Sequence, residues 1–562
     1  MAAQIAKLLH PDDATAERID AITREVLRAP RVIPLASPGR PTSGEAIRVR
    51  DAAGNVRTRV IAREHRYTTE GLVRAEEEVL DRTARRVGTG AAVIPEAIVE
   101  RVLARYASLD ADQQAALRGL CASGNGLDVV IGKAGTGKSA MLKAYRQACD
   151  EAGVQIRGVA PSATAAHLLG QSAEIAEPST VHRVLAGLEH AGWKLPAGGV
   201  VVLDEAAMLD TRTLLKLQQA ADVAGCKLVA VGDYRQTPSV DVGGMLPRIA
   251  ETTSTFELTH NHRFDRIEMR DAAEQIRDGL TAEGIAGFRR LGMVYDDFQT
   301  ADQCWSVMIG DWLNLRDHGA DARLFADLNV NIDELNRQAR HALVERGQVA
   351  KGRTYSDDST GNWFTVGEGD RVRLGANEAG VAQLDGTHAV VRNGMEGQII
   401  HTSGRGVEVL LDPEHVGDDG RASVWLPSAY VANELALGYA LTCDKAQAAT
   451  HDDALYLATD RASLERGYVA LSRGRYSNRI YATRTAEWEE ALGTSRAHEP
   501  AINQQPTPRE QGVETERPIE RQRDRWLAER LSQLEAERQA HQEGRDDDGR
   551  QHDEGRGRGM AM

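Results

Sequence analysis

A glycine-rich loop of eight residues carries the strongest chemical signal in the sequence. It follows an apolar run, opens a helical pattern and reads Gly132-Lys-Ala-Gly-Thr-Gly-Lys138-Ser139. In such a loop the backbone N–H groups surround nucleotide phosphates, the lysine reaches the β and γ oxygens, and the hydroxyl holds Mg²⁺. We therefore predict a site for ATP and Mg²⁺ formed by Gly132, Ala134, Gly135, Thr136, Gly137, Lys138 and Ser139. The alternative is a chance glycine-rich turn, and the flanking strand and helix argue against it.

Two adjacent carboxylates end a later apolar run, Val200-Val-Val-Leu-Asp204-Glu205. The carboxyl ends of buried parallel strands are where α/β sheets bind ligands. We expect Asp204 to coordinate Mg²⁺, and Glu205 to orient or deprotonate the attacking water from beside the metal. Strands ending in Asp-Glu are common, so this prediction depends on the glycine-rich loop that precedes the pair by about 65 residues.

A third apolar run ends in polar residues at Val231-Gly-Asp233-Tyr-Arg-Gln236. We predict that Gln236 senses the γ-phosphate and that Asp233 supports the metal site. The alternative is an ordinary turn, for which Gly-Asp pairs are frequently used. Together the three segments predict a P-loop nucleoside triphosphatase without deciding which kind.

The elements that must position these residues are short apolar runs separated by helical stretches, beginning near Ser108. Such spacing is typical of an α/β fold with a parallel, doubly wound sheet. In the first half of the chain the runs are Leu127 to Ile131, Ile156 to Ala160, Val200 to Leu203 and Leu228 to Val231. A second lobe is predicted from Arg323 to Ala326, Leu435 to Leu441 and Ala454 to Leu457.

The remaining segments have other patterns. Residues 1–98 combine polar helices, a linker from Ser37 to Gly44, a hairpin at Ile47–Val49 and Val56–Val60, and a helix from about Thr69 to Arg86. The predicted domains are this accessory region, a first lobe at 99–255, the first part of a second lobe at 256–345, a small β-barrel insertion at 346–430, the second part of the second lobe at 431–492, and a tail at 493–562. The tail is too charged and polar to fold alone, so we expect a disordered segment with one short helix.

Composition narrows the class of protein. A chain of 562 residues with 41% apolar residues can form several cores. It contains no apolar run of about 18 residues and no signal peptide, so we expect a cytoplasmic protein that does not enter a membrane. The five scattered cysteines fit neither a disulfide framework nor a zinc site, and we expect reduced thiols. A net charge of −15 disfavours nucleic-acid binding only weakly, because a motor binds its strand in a local groove.

Eight motifs in a fixed order resemble the RecD-like branch of superfamily 1 DNA helicases over about residues 105–490. They are Leu109-Asp-Ala-Asp-Gln113, the glycine-rich loop, Gly158-Val-Ala-Pro-Ser162, Asp204-Glu205, Gly232-Asp-Tyr-Arg-Gln236, Leu258-Thr-His-Asn-His-Arg263, Gly438-Tyr-Ala-Leu-Thr442 and Tyr468-Val-Ala-Leu-Ser472-Arg473. The resemblance implies two RecA-like lobes with an SH3-like insertion. It also implies that Gln113 reads the adenine, that Arg263 and Arg473 reach the γ-phosphate from the second lobe, and that single-stranded DNA is bound by Pro161, Ser162, Thr164, Thr180, His182, Thr442 and Lys445.

A second resemblance, to conjugative relaxase-helicases of the MobF class, lies mostly outside the motor. It is carried by Arg31-Val-Ile-Pro-Leu35, the hairpin, Tyr67-Thr-Thr69 with Glu76, and Val391-Arg-Asn393-Gly394. Those proteins nick plasmid DNA with a tyrosine and unwind it for transfer. This chain has no cluster of three histidines for a nicking metal and its first tyrosine is Tyr67, so we expect nicking activity to be absent from it.

One motif departs from the helicase pattern, and it reads Thr442-Cys-Asp444-Lys445-Ala-Gln447-Ala448. Where the family has histidine, Asp444 places a negative charge near the expected DNA phosphates, and Ala448 replaces a permissive glycine. We expect a weakened grip on the strand. Trp193 is either the cap of a strand-splitting pin or a packing residue, and we favour packing.

Three functions remain open from the sequence. The first is an ATP-driven 5′-to-3′ motor on single-stranded DNA that acts as a monomer in conjugation, with relaxosome or coupling proteins as partners. The second is an ATP-gated DNA-binding or recruitment module that does not unwind. The third is a RecD-like helicase of repair or recombination.

Overall fold

The structure of the protein, a computed structural model, describes most of the chain between residues 66 and 495. The described ranges are 66–236, 243–357, 359–383, 387–416, 422–446 and 449–495, with the strands at 32–35, 45–50 and 56–61 and five single positions before them. Four predictions lie wholly or mostly outside these ranges: the polar helices that precede β1, the linker from Ser37 to Gly44, the tail beyond residue 495, and the Gln447-Ala448 end of the altered motif.

The N-terminal region forms two antiparallel strand pairs followed by a helix. Its elements are β1 (Val32–Leu35), β2 (Glu45–Arg50), β3 (Val56–Ile61), β4 (Arg66–Thr69) and helix α1 (Glu70–Arg85). Strand β2 pairs with β3, as the predicted hairpin requires, and β1 pairs with β4. Helix α1 begins where Thr69 Oγ1 accepts a hydrogen bond from the Leu72 N–H at 3.3 Å. The chain divides into two units, and the larger one, Ala75–Pro500, contains both predicted lobes and the insertion.

Six parallel strands form the sheet of the first lobe, in the order β10-β5-β9-β8-β6-β7. They are β5 (Leu127–Gly132), β6 (Ile156–Ala160), β7 (Ser179–Thr180), β8 (Val200–Leu203), β9 (Lys227–Gly232) and β10 (Thr255–Leu258). The helices are α2 (Glu96–Arg105), α3 (Ala111–Ala122), α4 (Lys138–Glu151), α5 (Ala163–Ala173), α6 (Val181–His190), α7 (Thr211–Ala224) and α8 (Leu246–Thr252).

Both faces of this sheet are covered by helices, because successive side chains of a buried strand point to opposite sides. In β5, Val130 packs with α3 and α4, whereas Val129 and Ile131 pack in a second core with α7 and α8. The predicted doubly wound α/β lobe is confirmed. One boundary was wrong: β10 pairs with β5, so the first lobe ends after Leu258 and not at residue 255.

The second lobe has five parallel strands in the order β11-β24-β23-β12-β22. Its first elements are α9 (Ile267–Arg277), α10 (Thr281–Arg290), β11 (Val294–Phe298), α11 (Ala301–Asp317), β12 (Ala322–Ala326) and α12 (Asn329–Glu345). After the insertion it continues with β22 (Ala440–Thr442), β23 (His451–Leu457), α14 (Leu464–Leu471), β24 (Gly474–Thr483) and α15 (Trp488–Leu492). Cores lie on both faces here too, with Tyr456 on one side of β23 and Leu455 on the other.

Between α12 and β22 the chain forms an antiparallel insertion. Its elements are β13 (Arg353–Asp357), β14 (Asn362–Val366), β15 (Arg371–Leu374), β16 (Glu378–Ala382), β17 (His388–Val391), β18 (Glu396–Ser403), β19 (Gly406–Leu411), β20 (Ser423–Pro427), α13 (Ser428–Glu434) and β21 (Leu435–Leu437). The main sheet has the order β20-β19-β18-β15-β21, and β13-β14 and β16-β17 pair separately.

The strand predicted from Leu435 to Leu441 was wrong in one respect. It is two strands divided at Gly438, of which β21 pairs with β15 of the insertion and β22 pairs with β12 of the second lobe. A continuous apolar run cannot reveal that its two halves join different sheets. The insertion therefore extends to Leu437 and not to residue 430.

Side-chain caps fix where several helices begin at the edge of the first sheet. Asp110, Ser162, Thr180 and Asp210 each accept a hydrogen bond from the backbone N–H three residues later, at 2.9 to 3.2 Å. Such caps satisfy donors that the helix itself leaves free. They place two candidate DNA-contact residues, Ser162 and Thr180, at helix starts that follow strands β6 and β7.

All five cysteines are buried and none forms a disulfide, as predicted. Burial raises the pKa of Cys121 to about 12, so this thiol is protonated and unreactive at neutral pH. Within the described residues, no helix combines the length and the apolar composition that crossing a membrane requires.

Candidate nucleotide site and nucleic-acid interface

The glycine-rich loop lies between the end of β5 and the start of α4, as predicted. Gly135 and Gly137 have φ angles of 82° and 69°, a conformation that favours glycine. At Gly132 a Cβ atom would lie 2.6 Å from Lys138 Cγ. The loop therefore needs glycine both for its turns and for the space around the lysine.

Lys138 points back into the loop, where its Nζ donates to the Gly132 carbonyl at 2.8 Å. A cation inside a ring of backbone groups at the start of a helix matches the donor set that phosphates require. Ser139 is exposed on the first turn of α4. These residues fit the β and γ phosphates of ATP, with Ser139 available to an accompanying Mg²⁺.

Asp204 and Glu205 follow the end of β8, and Asp204 Oδ1 accepts a hydrogen bond from the Glu205 N–H at 2.9 Å. Glu205 is buried and has a φ of 50°, which is unusual for a residue with a side chain. Strained backbone of this kind concentrates at functional sites. Burial and the charge of Glu205 raise the pKa of Asp204 to about 7, against the opposing charge of Lys138.

Lowering the pH from about 8 to about 6 should weaken Mg²⁺-dependent nucleotide binding, because a carboxyl group must lose its proton before it coordinates a cation. With a pKa of about 7, Asp204 keeps its proton below that pH, so the apparent dissociation constant should rise by up to about tenfold per pH unit there and level off above. Titration of Mg²⁺ against a fluorescent ADP at several pH values measures this. Asp204→Asn should bind weakly at every pH. An affinity of the wild-type protein that does not change between these pH values would contradict the assignment of Asp204.

Gln236 is buried and its Nε2 lies 3.4 Å from Asp233 Oδ2. Asp233 also accepts two hydrogen bonds from Arg277 at the end of α9, at 3.0 and 3.3 Å. Both members of this ion pair are buried. Asp233, which the sequence suggested as support for the metal, thus binds an arginine of the second lobe and connects that lobe to Gln236.

Gln113 lies on the first turn of α3, beside the loop. Its Oε1 accepts from the Asp110 N–H at 3.0 Å, and its Nε2 donates to the Thr136 carbonyl at 3.0 Å. A Cβ atom on Gly137 would collide with the same amide. Gln113 is therefore at the nucleotide site, and its contact with adenine remains a prediction.

Arg263 reaches the same loop from the side of the second lobe, and Arg473 lies near Arg263. Arg263 donates to the Ser472 carbonyl at 2.6 Å, and a Cβ atom on Gly135 would lie 2.5 Å from Arg263 Cβ. Arg473 donates to the Val469 carbonyl and to Ser472 Oγ. Burial and the neighbouring Arg473 lower the pKa of Arg263 to about 9, so Arg263 stays charged at neutral pH, and burial lowers the pKa of Arg473 as well. A half-buried and a buried cation side by side fit a polyanionic ligand.

Three further contacts between the lobes were not predicted. Asn261 Nδ2 donates to the Ala134 carbonyl at 2.7 Å, the Ala134 N–H donates to Tyr468 Oη at 3.3 Å, and Lys133 Nζ lies 2.8 Å from Glu274. Asn261 and Tyr468 belong to motifs seen in the sequence, so their position near the site was indicated although their contacts were not. Nothing in the sequence pointed to Glu274.

The candidate DNA-contact residues of the first lobe line up along the ends of β6 and β7. Ser162 and His182 are exposed, and Pro161 and Thr180 are half-buried. Thr164 has a partner in the insertion, where its Oγ1 donates to the Asn393 carbonyl at 2.9 Å. The insertion therefore contacts the first lobe at its predicted DNA surface.

The altered motif of the second lobe places Thr442 at the buried end of β22 and Lys445 in the exposed turn that follows. Asp444 accepts two hydrogen bonds from Arg466, at 2.9 and 3.3 Å. The negative charge expected at Asp444 is therefore paired with an arginine, and the weakened grip on the strand stays a prediction. Residue spacing could not show a partner that lies on another helix.

Trp193 is a packing residue, as favoured from the sequence. It lies against Gly187, where a Cβ atom would collide with the indole, and Arg157 lies over the ring at 5.1 Å from its centroid. The segment after α6 contains no strand within the described residues 191–199. It therefore does not form a strand-splitting pin of paired strands there.

Known proteins similar to this chain were found by sequence and by structure. A family model described as an AAA domain matches residues 108–296. A probable conjugal transfer protein TraA of Sinorhizobium fredii is 29% identical over 485 residues, which are 85% of this chain and 40% of that protein. The ATP-dependent RecD2 DNA helicase of Deinococcus radiodurans is 33% identical over 145 residues, 25% of this chain and 20% of that protein. A crystal structure of the Pif1 helicase from Candida albicans superposes on this chain with a TM-score of 0.45 and a sequence identity of 17%. The match covers 69% of this chain and 97% of that one.

These matches confirm the resemblance to RecD-like superfamily 1 helicases and to the conjugative proteins. The chain spans 40% of the length of the TraA relative.

Proposed function

We propose that this chain, which resembles the RecD-like superfamily 1 helicases and the TraA proteins, is an ATP-dependent DNA helicase that serves conjugative transfer. ATP hydrolysis between its two lobes drives stepwise 5′-to-3′ movement along single-stranded DNA. The conjugative role is supported by the similarity to TraA over 85% of the chain, which favours it over repair or recombination.

One observation carries the proposal: groups of the second lobe complete the phosphate loop of the first. Asn261 and Tyr468 hold Ala134 from either side, and Arg263 packs against Gly135. Binding or loss of the γ-phosphate must therefore change how the lobes sit on each other. A motor needs this coupling between the γ-phosphate and the position of the lobes. A simple nucleotide-binding module does not need it.

Each group at the site has a distinct part in hydrolysis. Lys138 binds the β and γ oxygens, and Glu205 takes the proton of the attacking water. Arg263 and Arg473 stabilise the charge that develops on the transferred phosphoryl group. Mg²⁺ held by Ser139 and Asp204 neutralises phosphate charge when it is bound.

Gln236 reports the state of the γ-phosphate to Asp233 and, through Arg277, to helix α9. This route is short and buried. We propose that it transmits hydrolysis to the second lobe, and that Gln113 holds the adenine.

For the DNA, we propose a strand that crosses both lobes over Pro161, Ser162, Thr164, Thr180, His182, Thr442 and Lys445. Small hydroxyl groups and helix starts bind a sugar-phosphate backbone without reading its sequence. The insertion, which we propose to be an SH3-like barrel, lies beside this path. We further propose that the chain acts as a monomer in the cytoplasm. Its partners would be relaxosome or coupling proteins.

Strand displacement from forked or tailed duplexes tests the proposed function. With ATP, a duplex carrying a 5′ single-stranded tail should be unwound and a duplex carrying only a 3′ tail should not. Reactions without ATP, and with Lys138→Ala, are the negative controls. Unwinding from the 3′ tail alone would overturn the polarity. DNA binding with neither unwinding nor DNA-stimulated ATPase would overturn the motor and favour a recruitment module.

A further inference from the structure

Arg373 of the insertion strand β15 lies where the insertion meets the first lobe. The point of contact is Gly394, which has a φ of 93°. A Cβ atom there would lie 2.9 Å from Arg373 NH2 and would collide with Thr164 Oγ1. The guanidinium and the threonine hydroxyl thus approach the same glycine from two domains.

Lys445, in the exposed turn after strand β22 of the second lobe, lies within electrostatic range of Arg373. Burial and the charge of Arg373 lower the pKa of Lys445, against the opposing charge of Asp333. Burial also lowers the pKa of Arg373. The first shift indicates that the charges of Lys445 and Arg373 act on each other, and the second that Arg373 is partly removed from water, with the charge of Glu396 opposing the shift.

The acidic side chains near these two cations have other partners or are distant. Glu396 accepts hydrogen bonds from Arg323 at 2.8 Å and from Arg371 at 3.1 Å. Asp444, next to Lys445, is bound by Arg466. Among the described residues neither Arg373 nor Lys445 has a carboxylate within salt-bridge distance. The pair therefore carries a local excess of positive charge in a protein whose net charge is −15.

Arg373 also has a donor without an acceptor: its NH1 is buried and makes no hydrogen bond within the described part of the chain. Leaving a charged donor unsatisfied is costly, so this atom calls for an acceptor that the described residues do not supply. An anionic acceptor would also answer the positive charge of the guanidinium. A backbone phosphate supplies both, and an arginine can bind two of its oxygens at once.

We propose that Arg373 and Lys445 bind one phosphate of the single-stranded DNA, with the Thr164 hydroxyl beside it. This inference rests on the proposed function and adds the insertion as a third wall of the DNA path. The stretch Val391-Arg-Asn393-Gly394 then has a physical role: it brings the insertion against Thr164, and at position 394, where φ is 93°, a Cβ atom would collide with the threonine hydroxyl.

Binding of Arg373→Gln to a fluorescent oligothymidylate, measured by anisotropy over a range of salt concentrations, tests this site. Loss of one phosphate contact should weaken binding by about fivefold to tenfold near physiological salt and lower the slope of log K against log salt by about 0.7. ATP hydrolysis without DNA should not change, because Arg373 does not touch the nucleotide site. Arg353→Gln, an exposed arginine at the start of β13, removes the same charge elsewhere and should bind like the wild-type protein.

Arg373→Lys separates a phosphate contact from a structural role, because it keeps the charge and loses the planar fork. It should retain the salt slope and bind within about threefold of the wild-type protein. A glutamine variant with wild-type affinity and slope would overturn the site and leave the proposed function intact. A lysine variant as weak as the glutamine variant, with an unchanged slope, would also overturn it. Absence of oligonucleotide binding by the wild-type protein would instead overturn the proposed function.

Discussion

Replacing Arg473 by glutamine should lower DNA-stimulated ATP hydrolysis by about 1,000-fold, the usual cost of losing an arginine that stabilises phosphoryl-transfer charge. Arg473 is 1% exposed and is held by the Val469 carbonyl and Ser472 Oγ. Its guanidinium is therefore fixed before the nucleotide binds, which is what makes such a group effective. Nucleotide binding should weaken far less than the rate, because the phosphate loop itself is unchanged.

Turnover should be measured at saturating ATP and oligothymidylate, and affinity by a fluorescent nucleotide. Arg475→Gln is the matched control, because Arg475 is two residues away and exposed, and it should hydrolyse ATP at the wild-type rate. Arg263→Gln should resemble Arg473→Gln, and the double variant should be little worse than either, since residues that act as a unit are not additive. A loss of affinity as large as the loss of rate would contradict a role of Arg473 in the transition state.

Glu205→Gln should reduce the ATPase rate by about 100-fold to 10,000-fold, the range for loss of a general base. Glutamine keeps the size of the side chain, but its amide cannot accept the proton of the attacking water. ATP binding should persist, so the variant should stay bound to ATP and to DNA. Single-turnover hydrolysis of labelled ATP measures the chemical step directly.

The control is Glu257→Gln, since Glu257 is an exposed carboxylate on β10 of the same lobe. It should hydrolyse ATP normally. Wild-type single-turnover rates in Glu205→Gln would remove this residue from the chemistry and leave Asp204 as the carboxylate to test.

The buried pair of Asp233 and Arg277 connects Gln236 of the first lobe to helix α9 of the second. A buried bidentate pair is strongly directional, and removing one partner leaves an uncompensated charge. Because Asp233 also contacts Gln236, the proposed function expects the position of Gln236 and that of helix α9 to be coupled.

The amino-acid sequence alone was sufficient to predict the features that depend on residues close together in the chain. Strand, loop and helix follow one another within about 25 residues at Leu127–Glu151, and apolar runs and turn residues encode such local order directly. Because parallel strands bring their carboxyl ends to one edge, Lys138, Asp204 and Gln236 could be placed at one site from the strand ends that carry them. The ordered motifs extended this to Arg263 and Arg473.

Only the tertiary structure decided which distant residues form pairs. From the sequence, Asp444 adds a negative charge near DNA, and only the structure shows that Arg466 pairs with it. From the sequence, the run from Leu435 to Leu441 is one strand, and only the structure shows that its two halves pair in different sheets. The approach of Arg373 and Thr164 to Gly394 depends in the same way on how the insertion packs against the first lobe. Local periodicity specifies which face of an element is buried, but charge pairing across domains depends on how those faces pack together.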